Sequence, residues 1–205
     1  AFRQVTPAMV LLSLYAEVLG KFSNSSRFLI NVPLFGRPLD EENIDFVVGD
    51  FTNILLLPID ISGKNQFIDQ VNNITDIFME AMKHTSYSGV EVIRDLLKKD
   101  TGNNLIAPVV FSCNYDEVMV PVLFEKKLGK LDYISTQTPQ VLIDFQILKM
   151  TEGILFSWDV VDEAFCEGTI DTMFDCYMKA LEDLIEQPDS WNKKIEFMEL
   201  SSFPE

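Results

Sequence analysis

One carboxylate stands where few are tolerated. Asp144 lies in the apolar, strand-like stretch ISTQTPQVLIDFQ, Ile134 to Gln146. A carboxylate carried into a core must face a cleft, pair with a donor or carry a perturbed proton affinity, because a buried unpaired charge is strongly unfavourable. If residues 140–146 are extended, their side chains alternate with a period of two. Gln140, Leu142, Asp144 and Gln146 then share one face, and Val141, Ile143, Phe145 and Ile147 the other. The second face is core. The first is either a half-wet sheet surface or the wall of a cleft, and on a cleft wall the acid can take or give a proton, or hold a substrate amine.

Ser112, in PVVFSCN, is the second candidate. A strand serine is ordinarily satisfied by a backbone carbonyl. Cys113 alternates away from it and reads as a small buried thiol. The chain has no GxSxG elbow, and its single histidine, His84, stands in a polar stretch, so a Ser-His-Asp triad is unsupported. That lone histidine also argues against a metal site. Neither GxGxxG nor GxxxxGK[ST] occurs, leaving nucleotide phosphates without a recognised cradle. Asp50, Thr52 and Asn53 in VGDFTN read as a Gly49-assisted bend with a local cap.

The bulk composition narrows the class. With 205 residues, 47% of them apolar and 16 of them Phe, the chain is long and apolar enough to fold around a core. A formal charge of −16 argues against a nucleic-acid partner. No run of apolar residues reaches membrane-spanning length, so no membrane partner is expected. Cys113, Cys166 and Cys176 show no paired spacing, which suggests a reducing, cytoplasmic setting.

The elements that must position these residues are readable in part. Thr6 and Pro7 start a helix whose apolar positions run from Leu11 to Val18, with Gly20 as its stop. Residues 25–36 and 47–60 read as strands. Helices follow from Phe67 to Met82 and from Gly89 to Leu97. Leu105 to Asn114 reads as a buried strand, and residues 117–124 as a short extended piece weakened by Pro121. Two more strands, 141–148 and 154–160, meet at a Glu152-Gly153 turn. A last helix carries one stripe from Ile170 to Ile185 and ends before Pro188. The expected fold class is α/β, with helices packed on a mixed sheet.

Seven ordered motifs carry a resemblance. They are TPAMVLLSLYAEVL at 6–19, FLINVPLFGRPL at 28–39, VVGDFTNILLL at 47–57, APVVFSCN at 107–114, QTPQVLIDFQ at 137–146, WD at 158–159 and GTIDTMFDCY at 168–177. Together they are similar to the carboxy-terminal lobe of heterocyclization domains, the cyclizing branch of the condensation domains of non-ribosomal peptide synthetases. The resemblance covers nearly all of residues 1–205 and about half of a complete domain, with the amino-terminal lobe absent.

The resemblance implies a chloramphenicol-acetyltransferase-like lobe. It also implies an activity in which a carrier-bound acyl or peptidyl thioester is joined to carrier-bound Cys, Ser or Thr. The amide then closes to a thiazoline or oxazoline. By motif, Asp144 and Ser112 fall on the residues implicated in cyclodehydration, Ser112 standing for the usual threonine. Gln137 and Gln140 become candidates to hold an amide substrate, or remain ordinary strand and turn anchors. No cofactor is expected on the lobe itself. Phosphopantetheine arms of upstream and downstream peptidyl carrier proteins would deliver the substrates, beside an adenylation domain and the missing lobe, without which the piece is expected to be inactive. The alternatives are an ordinary amide-forming condensation lobe and a non-catalytic carrier-docking module. The sequence departs from the family pattern at Leu142, where tryptophan is common, at Cys166, where proline is common, and after Ser112.

Overall fold

The computed structural model describes residues 5–35, 43–63, 66–99, 107–136 and 138–197. These fall into two units, one drawn from residues 1–28, 58–80 and 162–205, the other from 29–57 and 81–161.

Three helices dominate the first unit. In α1 (Pro7–Phe22), Thr6 Oγ1 accepts from the Met9 N–H and proline occupies the first turn, where a missing N–H leaves no bond unmade. Its buried Ser13 hydroxyl donates to the Met9 carbonyl at 2.7 Å, so this polar group needs no outside partner. The helix α5 (Thr169–Glu186) packs on α1 through Met173, Tyr177, Ala180 and Leu184, spaced at three and four residues. Tyr177 also donates to the Leu11 carbonyl. At the start of α2 (Phe67–Met82), the ring of Phe67 meets that of Trp191, whose indole N–H donates to the Leu184 carbonyl at 2.8 Å. Gly20 does not stop α1, which continues through it to Phe22. The missing side chain admits a neighbour instead: a Cβ there would lie 1.6 Å from Ile61 Cδ1.

The second unit holds most of the sheet. Among the described residues, five strands, β1 (Arg27–Phe35), β2 (Thr52–Asp60), β3 (Val109–Val118), β4 (Ile143–Met150) and β5 (Gly153–Val160), lie in the order β2-β1-β3-β4-β5. The β1–β3 and β3–β4 pairs are parallel, and β4–β5 is antiparallel. The sheet is therefore mixed, as expected. Phe145 is fully buried on one face, with ring centroids 5.6 Å from Phe111, 5.5 Å from Trp158 and 6.2 Å from Phe156.

Several boundaries differ from the sequence reading. β2 begins at Thr52 rather than Val47, because Asp50 Oδ1 accepts from the Thr52 N–H at 2.9 Å and closes a local cap ahead of the strand. The piece expected to be extended at 117–124 instead turns into α4 (Val122–Leu128). Pro121 has φ −60° at the position before that helix, where proline favours a helix start over a strand. Gly36, the expected end of the first strand, lies outside the described residues.

Gly89 opens α3 (Gly89–Lys99) against β2. A Cβ at this position would sit 2.6 Å from the Ile54 carbonyl oxygen, a backbone atom with little room to yield. Alanine would gain up to about 1 kcal/mol in helix propensity. Overpacking costs about 1–3 kcal/mol. Gly89→Ala is therefore expected to destabilise the chain, seen as a lower denaturant midpoint at unchanged m-value.

Candidate functional site

β4 has neighbours on both sides, so the backbone carrying Asp144 is held by β3 and β5 together. Val110 stands opposite Asp144 on β3 and Asp159 opposite it on β5. Residues paired in this way share a sheet face, so both carboxylates project from the side opposite Phe145 and Trp158 at their backbone positions. Asp144 is 9% exposed and lines a cleft of about 300 Å³ together with Tyr133, Ser135, Thr136, Trp158 and Asp159.

A coil residue ties the two acids together. Thr136 donates its backbone N–H to Asp159 Oδ2 at 2.6 Å, and its hydroxyl lies 2.9 Å from Asp144 Oδ2 and 3.0 Å from Asp159 Oδ2. Gln146, two residues along β4 and so on the same face, donates from Nε2 to Thr136 Oγ1 and, at 3.1 Å, to Asp144 Oδ2. A threonine hydroxyl has one proton and an amide nitrogen two. With the Thr136 N–H already serving Asp159, one consistent assignment sends the hydroxyl proton to Asp144 and one Gln146 proton to each of its two acceptors. Asp144 Oδ2 then accepts two bonds. Oδ1 of the same carboxylate is buried and has no hydrogen-bond partner among the described residues. One oxygen is anchored by donors, and the other is buried without one.

The other residues singled out in the sequence are placed as follows. Ser112 is half-buried on β3 and lies opposite Gln146, hence on the face of Asp144 but two residues further along. It is not among the residues lining the cleft. Gln140 does not continue the alternation of β4, because the strand begins only at Ile143. It is exposed in the preceding turn with φ +69°, a left-handed conformation that breaks the extended run. Gln137 lies outside the described residues. His84 is exposed in the turn after α2. Thr136 has no role in the sequence reading, and Asp159 appears there only within the WD motif at 158–159. The signal for Asp159 was the hairpin register, and nothing in the sequence marked Thr136.

Cys113 sits on the opposite face from Ser112, paired with Ile147. Burial, with a smaller effect from the Asp116 carboxylate, pushes its thiol up to about 11. The thiolate is the reactive form, so at pH 8 native Cys113 is expected to alkylate more than about 100-fold slower than an ordinary cysteine. Peptide mapping after iodoacetamide treatment should find the exposed Cys166 modified well before Cys113.

Comparison with known proteins bears on the chemistry. A family model described as the condensation domain matches residues 2–202. The phenyloxazoline synthase MbtB of Mycolicibacterium paratuberculosis is 38% identical over 192 residues, covering 93% of this chain and 16% of that protein. The pyochelin synthetase PchE of Pseudomonas aeruginosa is 37% identical over 183 residues, covering 89% and 13%. The chain thus spans less than a fifth of the length of these relatives. Among solved structures, the EpoB NRPS cyclization-docking bidomain of Sorangium cellulosum superposes with a TM-score of 0.79 at 33% identity, covering 93% of this chain and 38% of that one. The α/β fold expected from the sequence, with its chloramphenicol-acetyltransferase-like arrangement, is the fold of this neighbour.

Proposed function

Since this chain belongs to the condensation-domain family, we propose that it is part of a heterocyclizing peptide synthetase domain, with Asp144 as the proton-transfer group of ring closure. The observation that carries the proposal is the asymmetry of the Asp144 carboxylate: a buried acid in a cleft, with Oδ2 held by donors and Oδ1 without one. The names of the relatives point the same way, since one is a phenyloxazoline synthase.

The reaction makes defined demands. In condensation, the amine of a carrier-bound Cys, Ser or Thr attacks the thioester carbonyl; a C–N bond forms, the C–S bond breaks and the thiol leaves with a proton. The acceptor's side-chain S–H or O–H then adds across the amide carbonyl, its heteroatom to carbon and its proton to oxygen. The ring carbon now carries a hydroxyl beside a ring N–H. Dehydration breaks that C–O bond, removes the nitrogen proton, forms C=N and releases water. A single carboxylate can serve both ends of the last step. Oδ1 takes the proton from nitrogen and gives it to the departing hydroxyl, so the enzyme returns to its starting state. Ser112, on the same face, would orient the intermediate or a water. Holding two tethered reactants in one cleft supplies a further entropic share of the rate. The phosphopantetheine arms of partner carrier proteins deliver both substrates in this reading.

The test uses the complete synthetase with its carriers loaded, in a single turnover. Each of Cys, Ser and Thr is tried as acceptor, and the product is released and weighed. A product lighter than the linear amide by one water supports the proposal. Linear amide alone with all three acceptors refutes cyclization and leaves an ordinary condensation domain.

A further inference from the structure

We infer that Thr136 is a positioning residue for ring closure, held in place by Asp159, and that together they decide which oxygen of Asp144 does the chemistry. The inference rests on the role proposed above for Asp144 and extends it to Thr136 and to Asp159 of the WD pair, neither of which that role involves.

The geometry separates two jobs within one residue. The backbone N–H of Thr136 is fixed by Asp159 Oδ2 at 2.6 Å, while its hydroxyl lies 2.9 Å from Asp144 Oδ2 and 3.0 Å from Asp159 Oδ2, and is the only one of the two groups that reaches Asp144. Asp159 stands on β5 opposite Asp144, so sheet pairing sets the distance between the acids before any side chain is placed. Thr136 itself lies in coil, outside every helix and strand, and has no ladder to hold it. Asp159 supplies the anchor that the backbone lacks. The hydroxyl then reports the position of β5 to the carboxylate on β4.

Two donors on Oδ2 have a chemical consequence. That oxygen already accepts from Thr136 and Gln146, so the unengaged lone pairs are those of Oδ1, which no described donor serves and which a substrate must uncover to deliver a proton there. Without the Thr136 hydroxyl, the carboxylate loses one of two bonds fixing its rotation about the Cβ–Cγ bond. The proton acceptor would then be presented over a range of angles. Misplacing a catalytic group by about 1 Å can cost about 100-fold in rate. One lost anchor of two should cost less than that.

Threonine suits the position better than serine in one respect only. Its methyl restricts the rotamer, whereas the hydroxyl makes the bonds. Hydroxyl loss and methyl loss are therefore separable by substitution.

The experiment compares Thr136→Val, Thr136→Ser, Asp159→Asn, Asp159→Ala and Asp144→Asn in the complete, carrier-loaded synthetase. The reading is the ratio of ring to linear amide in a single turnover, with circular dichroism on each variant. Thr136→Val keeps the shape and removes the hydroxyl; the ratio is expected to fall by about 10-fold. Thr136→Ser should restore it to within about threefold of wild type. Asp159→Asn retains an acceptor for the Thr136 N–H and should stay close to wild type, whereas Asp159→Ala should resemble Thr136→Val. Thr136→Val combined with Asp144→Asn should be no worse than Asp144→Asn alone, because the residues act as one unit.

A wild-type ratio in Thr136→Val, alongside a defective Asp144→Asn, overturns the positioning role and leaves the acid's role standing. A wild-type ratio in Asp144→Asn removes both. If Thr136→Val fails to fold, the Asp159→Asn and Asp159→Ala pair decides: equal ratios in the two overturn the inference.

Discussion

Asp144→Asn in the complete synthetase is expected to slow ring formation by about 10²- to 10³-fold while linear amide accumulates. The substitution is unusually clean at this position. An asparagine side chain can keep its carbonyl oxygen where Oδ2 stands, and so go on accepting from Thr136 and Gln146. Its amide nitrogen then takes the place of Oδ1, the oxygen without a described partner. Packing and the local hydrogen bonds persist, and only the ability to pick up and return a proton is lost. Condensation, in which the attacking amine meets an activated thioester, makes a smaller demand on such a group. Quenched single-turnover samples analysed by mass should show the ring fraction collapse with the amide still forming. Equal loss of both products would indicate damage to folding or condensation instead. Undiminished ring formation would remove Asp144 from the chemistry.

Phe145→Ala should have the largest effect on stability, a loss of about 3–5 kcal/mol. Phe145 is fully buried, and its ring lies near that of Phe111 on β3 and those of Phe156 and Trp158 on β5, the two strands flanking its own. Truncation removes the ring's transfer free energy and leaves a cavity that three aromatic neighbours cannot readily fill. Favourable edge-on and tilted ring contacts, worth about 0.5–1.5 kcal/mol each, are lost as well. Domain stabilities are typically about 5–15 kcal/mol, so the variant would lose a substantial share of its margin. A urea melt followed by tryptophan fluorescence measures the shift. Phe145→Leu, which retains much of the volume, should lose clearly less. A midpoint unchanged in Phe145→Ala would mean that this face of the sheet contributes little to the folded state.

How far the sequence reveals the site depends on which physical rule governs each residue. The facing of Asp144 is legible because successive strand residues point to opposite faces and β4 is extended from Ile143 onward, although burial there runs on both faces. The reach of that rule is not legible. Extending it back to Gln140 ignores a left-handed turn residue that no apolar pattern announces. Asp159 escaped by a single position. A turn at Glu152-Gly153 would pair Asp144 with Val161, whereas the observed turn at Thr151-Glu152 pairs Met150 with Gly153 and hence Asp144 with Asp159. The pairing of an acid with an acid follows at once from the correct register, and disappears with the wrong one. Thr136 lay beyond sequence reasoning, because coil residues carry no periodicity and its contacts arise only when β4 and β5 come together. Pro121 misled in a different way. It weakens a strand and opens a helix equally well, and composition alone does not choose between them.

The acid belongs to a strand clamped on both edges, while the group that orients it arrives on a coil that no sheet bond restrains. The scaffold and the tuning element are therefore separable parts of the chain. If Asp144 and Thr136 act as proposed, exchanging residues 133–136 between relatives is expected to shift the balance between open-chain and cyclic products while leaving the sheet's own pairing intact. A protein engineer wishing to alter that outcome has a cassette of coil to redesign, rather than a core.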